Sequence, residues 1–371
     1  MKLFSRLFLL FLFGILMSCA VSRDKVFELR KVSYSSIPNW KSDDFQQVLP
    51  ALKQNCKAMQ NNKDWTTFCN GLERLKDASS KKIRKFIEST MTPYAIYSYG
   101  SQQGTFTGYY EASLSGSLSF DQVNKYPIYG LPEDLLSLDP KSICEKSKDI
   151  GFRYGRIKDN LFVPYLTRSE INETTLNAPA LLWVDDPVDL FILHIQGSGR
   201  VETSDGVYHV GYAGNNGHPF IGIGSLLKQD NVLENGKYSM PHIRSWLKEN
   251  PEKAKEYMDK NPRYIFFKLL SENDGPLGAL EVALTPKRSM AVDKKYIPLG
   301  ALLFLNTTDP DGNAIQQLVV AQDVGGAING PIRGDFFWGY GEEAFQKAGR
   351  MKSSGTYYML WPKTAKVPSV F

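Results

Sequence analysis

From Pro93 onward the sequence is a succession of short apolar runs broken by glycine and proline, and this punctuation constrains the fold more than any other feature. The runs are Ala95–Tyr99, Gly104–Glu111, Leu161–Leu166, Leu181–Val184, Leu190–Gln196, Arg263–Leu269, Gly278–Leu284, Met290–Asp293, Ala301–Asn306 and Ile315–Asp323, with a last one near Thr356–Trp361. Segments this short, rich in β-branched and aromatic residues, read as strands. Helical spacing is confined to three places. Phe45, Val48, Leu49, Leu52, Cys56 and Met59 recur at three and four residues between Asp43 and about Ser89, behind an N-cap expected at Ser42-Asp43-Asp44. Residues 241–259 carry Pro241 and Pro251 where a first helical turn tolerates them, and a third helix is expected over Glu342–Met351. Between about 112 and 180, turn residues and charges predict long loops. Many short strands with a few helices predict a β-rich architecture built on barrels.

With 371 residues, 42% hydrophobic and 22% charged, the chain can form two domains, or one elaborate domain, around a sizeable core. It opens MKLFSRLFLLFLFGILMSCAVS: Lys2 and Arg6 precede an apolar stretch, Leu7 to Met17, too short to span a bilayer as a mature helix. This is an export signal. Its end, Leu16-Met17-Ser18-Cys19, is similar to the lipobox of bacterial lipoproteins, which implies lipidation of Cys19 after removal of residues 1–18. Ala20 is similar to the outer-membrane sorting signal. Losing Lys2 and Arg6 leaves 42 basic against 39 acidic residues, a net charge of +3. That is too weak to point to nucleic acid. Residues 20–42, with few periodic apolar positions, read as a tether. In an exported protein Cys56 and Cys69, on neighbouring helical patterns, could form a bridge, leaving Cys144 as a free thiol.

The stretch VVAQDVGGAINGPIRGDFFWGYG, from Val319 to Gly341, holds only two acids, Asp323 and Asp335. An acid placed where a buried strand meets a Gly-Gly turn is half desolvated, and such a carboxyl holds its proton to higher pH. Three other segments share a density of glycine, amide and aromatic groups: Thr107 to Glu111, His194 to Arg200 and Gly211 to Pro219. None is followed by a Walker lysine or opens a helix in a βαβ unit, so nucleotide binding is excluded. Ser198 lacks a nucleophile-elbow context, and the four histidines have no metal-binding spacing. His194, at the end of an apolar run, reads as structural. Flat rings, amides and hydroxyls suit a neutral polyhydroxylated ligand, a glycan. Thr107, Gly108, Tyr109, Tyr110, Glu111, Gln196, Ser198, Asn215, Asn216 and Trp338 are therefore expected to line its groove. Strand alternation leaves one of Tyr109 and Tyr110 facing the sugar and the other packed inside.

Taken together, TGYYEA, HIQGSGR, GYAGNNGHPF with IGIGSLL, NPRYIFF, MAVDKKYIPLGALLFL, AQDVGGAINGPIRGDFFWGYGEEA and AGRMK resemble the membrane-bound lytic murein transglycosylase A family over about residues 90–362. The part from about 270 to 364 resembles the 3D domain, with Asp293, Asp323 and Asp335 in the places of its three aspartates. The resemblance implies a double-psi β-barrel domain with N-terminal helices, residues 43–110 and 241–364, and a smaller β domain inserted at 111–240. A groove would separate them, and 365–371 would form a tail. It implies cleavage of the β-1,4 bond between N-acetylmuramic acid and N-acetylglucosamine to a 1,6-anhydro end. Asp323 would be the catalytic acid, Asp335 and Asp293 its supports, with no metal or organic cofactor. The implied partners are peptidoglycan strands and, through Cys19, the outer membrane at its periplasmic face. A non-catalytic glycan-binding lipoprotein and a water-using muramidase are the rival readings.

Overall fold

Five of the predicted runs, joined by an unpredicted strand over 333–340, close on themselves in the computed structural model, which describes residues 26–75, 77–138, 153–234, 236–271 and 275–368. The chain begins with β1 (Glu28–Lys31), then α1 (Leu49–Ala58), α2 (Thr66–Leu72), α3 (Ser80–Thr90), β2 (Met91–Tyr97) and the long β3 (Gly104–Ser117). It continues through β4 (Tyr126–Tyr129), β5 (Leu136–Ser137), β6 (Tyr154–Lys158), β7 (Leu161–Pro164), α4 (Arg168–Glu173), β8 (Ala180–Val184), α5 (Pro187–Gln196), β9 (Ser198–Thr203) and β10 (Gly206–Asn215). After α6 (Ile223–Gln229), α7 (Met240–Glu249) and α8 (Pro251–Asp259) come β11 (Ile265–Leu269), β12 (Ser289–Val292), β13 (Leu302–Thr308), β14 (Ala314–Asp323), β15 (Arg333–Tyr340), α9 (Gly341–Arg350) and β16 (Lys352–Pro362).

The barrel runs β16–β13–β14–β12–β15–β3, and β3 pairs back with β16. Closure removes the exposed edges that an open sheet would leave. Strand β3 is long enough to serve two sheets: Thr105 to Glu111 pairs with β15, and Ala112 to Ser115 pairs in parallel with β9. The second sheet continues through β10 to β11, which curls against β4 and β8. The architecture is mixed α+β and mostly sheet. Because β11 pairs with β10, the chain returns to the barrel after residue 269, later than the expected 241.

Alternation sets two cores around β14. Val319 and Ala321 face the barrel interior with Met290, Phe336 and Met359, whereas Leu318 and Val320 face the N-terminal helices with Phe45, Leu52 and Phe304. Cys56 on α1 and Cys69 on α2 are disulfide-bonded, at a sequence separation of 13. A Cys56→Ser/Cys69→Ser variant should lose about 2–3 kcal/mol of stability, read as a lower thermal midpoint that reductant no longer changes. Cys144 lies outside the described residues.

Four other expectations change. Leu190–Gln196 is the body of helix α5, not a strand. Asp186 caps it by accepting from the Val188 and Asp189 N–H groups, Pro187 opens it, and Gly197 ends it at φ 79°. Its uninterrupted apolar run is buried on all sides, including His194, so no helical periodicity survives in the sequence. Gly278–Leu284 forms turns with only an isolated bridge, Leu277 to Ala283. Residues 26–42, read as part of a tether, are folded: β1 pairs with β2, and Ile37 and Trp40 are buried. Asp43 caps no helix, since α1 starts at Leu49, and instead forms a buried ion pair with Arg288.

Candidate active site

Asp323 ends β14 at a slip in register. Met290 is paired with Ala321, but the next residue, Ala291, is paired with Asp323, so Gln322 is the extra residue. Without the slip Asp323 would share the inward face of Val319 and Ala321; with it, Asp323 emerges beside Ala291 on the outer face of the barrel. Gln322 anchors the slip from behind. It accepts from the buried Ser289 hydroxyl at 2.5 Å, and its amide donates to the Ala51 carbonyl of α1 at 3.2 Å. The helices thus hold the strand end that carries the acid.

Asp335 flanks the same alanine from the other side, since Ala291 also pairs with Asp335 across β12 and β15. Two strand spacings place the two aspartates' Cα atoms about 10 Å apart. Only the small Ala291 separates them on that face. Thr107, paired with Asp335 on β3, extends the row. Its hydroxyl donates to Asp335 Oδ1 at 2.5 Å while accepting from Arg333 Nη2 at 2.8 Å. Because Arg333 occupies the oxygen's lone pair, the hydroxyl proton is directed at Asp335.

Asp323 Oδ1 accepts from the backbone N–H groups of Val324 and Ala279, each at 2.9 Å. Ala279 can come so near because Gly278 precedes it: a Cβ on Gly278 would lie 2.4 Å from the Gln322 carbonyl oxygen. Burial pushes the Asp323 carboxyl up to about 6; the two N–H groups and the nearby Tyr109 hydroxyl oppose the rise, and the Asp335 charge adds to it. Asp335 is raised by its own burial, against the Thr107 hydroxyl and the Arg333 guanidinium. The Tyr109 hydroxyl is buried beside Asp323 without completing a hydrogen bond of good geometry, and its ring lies 5.1 Å from Phe337. Asp293, 8% exposed, braces the glycine-rich turn after Asp323 by accepting from Gly330 N at 2.8 Å. Among the described residues no group of side chains could hold a metal ion. The arrangement can therefore present a carboxyl that keeps its proton up to about pH 6 beside a second, separate one.

The remaining expected groove residues divide. Tyr110 is 8% exposed and packs on Phe345, so it is the inward tyrosine; its N–H donates to Gln196 Oε1 at 3.3 Å. Glu111 is 2% exposed and bonded to His209 at 2.9 Å. Asn216 spends its whole amide inside the protein, donating to the Leu166 and Pro262 carbonyls and accepting from Tyr264 N. Asn215 donates to the Tyr212 hydroxyl and accepts from Gly217 N, shaping its own turn. Trp338 is buried with its indole N–H aimed at Met351 Sδ, and Gly108 is the space its ring needs, since a Cβ there would lie 2.6 Å from Trp338 Nε1. Glu111, Asn216 and Trp338 are buried with their bonds made internally and Tyr110 is buried against Phe345, so these four read as scaffold, as does Gly108. Ser198 begins β9, half-buried, opposite Gly211. Tyr340, 59% exposed, is the open ring on this side of the barrel, and its place in the FFWGYG run was the available signal. Arg333 and Gln322 were also missed; each sits one or two residues from an aspartate in a strand, but nothing in composition marks them.

Residues 105–268 match the family model described as the MltA specific insert domain, and residues 288–361 match the 3D domain. The membrane-bound lytic murein transglycosylase A of Escherichia coli (strain K12) is 32% identical over 297 residues, covering 77% of this chain and 72% of that protein. A crystal structure of MltA from Neisseria gonorrhoeae superposes with a TM-score of 0.83 at 35% identity, covering 93% of this chain and 95% of the other. E. coli MltA with bound chitohexaose gives 0.67 at 25% identity, covering 91% and 95%. With likeness in sequence, in both matched segments and in fold over nearly the whole chain, this protein belongs to the lytic murein transglycosylase A family and is a lytic transglycosylase.

Proposed function

We propose that Asp323 is the single general acid and base with which this enzyme cleaves the bond between N-acetylmuramic acid and N-acetylglucosamine in peptidoglycan, leaving a 1,6-anhydro end. The observation that carries the reading is a carboxyl that burial at the end of β14 pushes up to about 6, so that it keeps its proton well above the ordinary aspartate range, on an outer barrel face. An ordinary glycosidase needs two carboxylates, one as acid and one as nucleophile or base. Here the substrate supplies the nucleophile. Asp323 gives its proton to the glycosidic oxygen as the C1–O4 bond breaks, and positive charge develops at C1. The muramoyl C6 hydroxyl then bonds to C1 and returns its proton to the Asp323 carboxylate. Atoms and protons balance without water. In this reading Asp335, held by Thr107 and Arg333, stabilises the developing positive charge, and its own charge adds to the burial that raises the Asp323 carboxyl. Mass spectrometry of muropeptides released from purified sacculi tests the reading: anhydro ends support it, and reducing ends would replace it with a water-using muramidase.

The division of labour we infer is a barrel domain, 43–110 with the segment after 269, carrying the acid, and an inserted sheet completing the groove. We also infer a lipid anchor at Cys19, outside the described residues, that holds the enzyme at the periplasmic face of the outer membrane. Among the described residues no helix is long and apolar enough to cross a membrane. Cys19→Ser should therefore give an exported protein that leaves the membrane fraction. Persistent membrane association of that variant would assign the tether to another segment.

A further inference from the structure

One face of β3 leads away from the acid, covered at Glu111 and open again at Ser113. Thr107, Tyr109, Glu111 and Ser113 lie at alternate positions, so they share one face. That face carries Asp335 opposite Thr107, Tyr340 opposite Glu111, and Arg200 of β9 opposite Ser113. Six residues of strand separate the Asp335 and Arg200 rows, about 20 Å. Arg200 stacks its guanidinium 4.2 Å over the centre of the exposed Tyr340 ring. Its Nε is buried without a hydrogen-bond partner. Glu111, on the same face, is committed to His209. A guanidinium oriented by a ring, with its planar donors unspent, matches the geometry of a carboxylate.

We propose that Arg200, stacked on Tyr340, is a carboxylate subsite that recognises an anionic group on the glycan strand at a distance from the bond being cleaved. The proposal rests on peptidoglycan being the substrate. Its muramic residues offer carboxylates from two sources: the lactyl group itself, when the peptide has been removed, and the peptide stem, when the lactyl group is tied up as an amide. A neutral oligomer of N-acetylglucosamine offers none. The subsite thus makes the enzyme read the charge of the strand as well as its sugars, and it gives binding a dependence on ionic strength that a neutral oligomer lacks.

The test is binding, measured in an Asp323→Asn background to prevent turnover, to chitohexaose, to peptide-free strands and to stem-bearing strands. Arg200→Gln should weaken one or both of the anionic strands about tenfold, the scale of one charge-assisted hydrogen bond, and change chitohexaose binding less than about twofold. Loss confined to peptide-free strands assigns the lactyl carboxylate; loss confined to stem-bearing strands assigns the stem. Equal loss on all three ligands, or none on either anionic strand, overturns the subsite. A second arm leaves Arg200 intact and amidates the carboxylates of the strands: binding should again fall about tenfold and lose its salt dependence. Unchanged affinity for the amidated strands overturns the proposal whatever the fold of the Arg200 variant. If the Arg200-intact protein binds none of the three ligands, peptidoglycan recognition itself fails, a result distinct from either of those.

Discussion

Asp323→Asn should give a folded protein that releases anhydromuropeptides about 10³-fold more slowly or worse, because an amide has no acidic proton to give the leaving oxygen. The wild-type pH profile carries the same assignment. The acid form is the active one and its pKa is pushed up to about 6, so kcat/KM should fall as pH rises through 6, and the variant's residual rate should lose that limb. Stability should move the other way. A carboxyl that folding makes a weaker acid destabilises the native state once pH passes from the ordinary aspartate range to above 6, since the unfolded chain releases the proton more readily. An amide at this position removes that penalty while keeping a carbonyl oxygen for the Ala279 and Val324 N–H groups. The thermal midpoint at pH 7.5 should thus hold or rise, by no more than about 3 kcal/mol in stability. Asp335→Asn should slow the enzyme less and shift the limb to lower pH, because the like charge that helps keep Asp323 protonated is gone. Near wild-type turnover by the Asp323→Asn variant would end the assignment.

Much of this site was legible in the sequence because its logic is local. An apolar run ending in an acid and Gly-Gly predicts a desolvated carboxyl at a strand-to-turn junction, and Asp323 has that environment. Alternation along β3 likewise predicts one inward and one outward tyrosine, and Tyr110 is the inward one. What composition could not supply was the direction of side chains whose partners are remote. Asn216 and Glu111 look like ligand groups in a glycine-rich segment, but Tyr264, Leu166 and His209 consume them from across the second sheet. The register slip that turns Asp323 outward depends on β12, more than 30 residues earlier, and leaves no mark in the run Val319 to Asp323. Helix α5 was lost for a different reason: a helix buried all round has no polar face, so its apolar run imitates a strand, and only Asp186, Pro187 and Gly197 betray it.

The largest stability loss is expected where the helices meet the barrel. Arg288 donates to both oxygens of Asp43, at 3.0 and 2.9 Å, and to the Leu318 carbonyl at 2.9 Å, while Asp43 Oδ2 also accepts from Leu318 N at 2.8 Å. The side chains are only 4% and 2% exposed, so neither charge has water to fall back on. Removing one partner leaves the other buried and uncompensated, which costs about 3–5 kcal/mol, more than most single changes. Asp43→Ala and Arg288→Met should each lower the unfolding free energy by that much, read from denaturant titrations. The double variant should cost less than the sum, since no lone charge remains. Additive losses would mean that the two side chains act independently. Arg288 directly precedes Ser289, whose hydroxyl holds Gln322 at the register slip, so loosening this pair loosens the platform under Asp323. The single variants should accordingly lose kcat beyond the fraction unfolded at the assay temperature, whereas the Cys56→Ser/Cys69→Ser variant, broken farther from β12, should not.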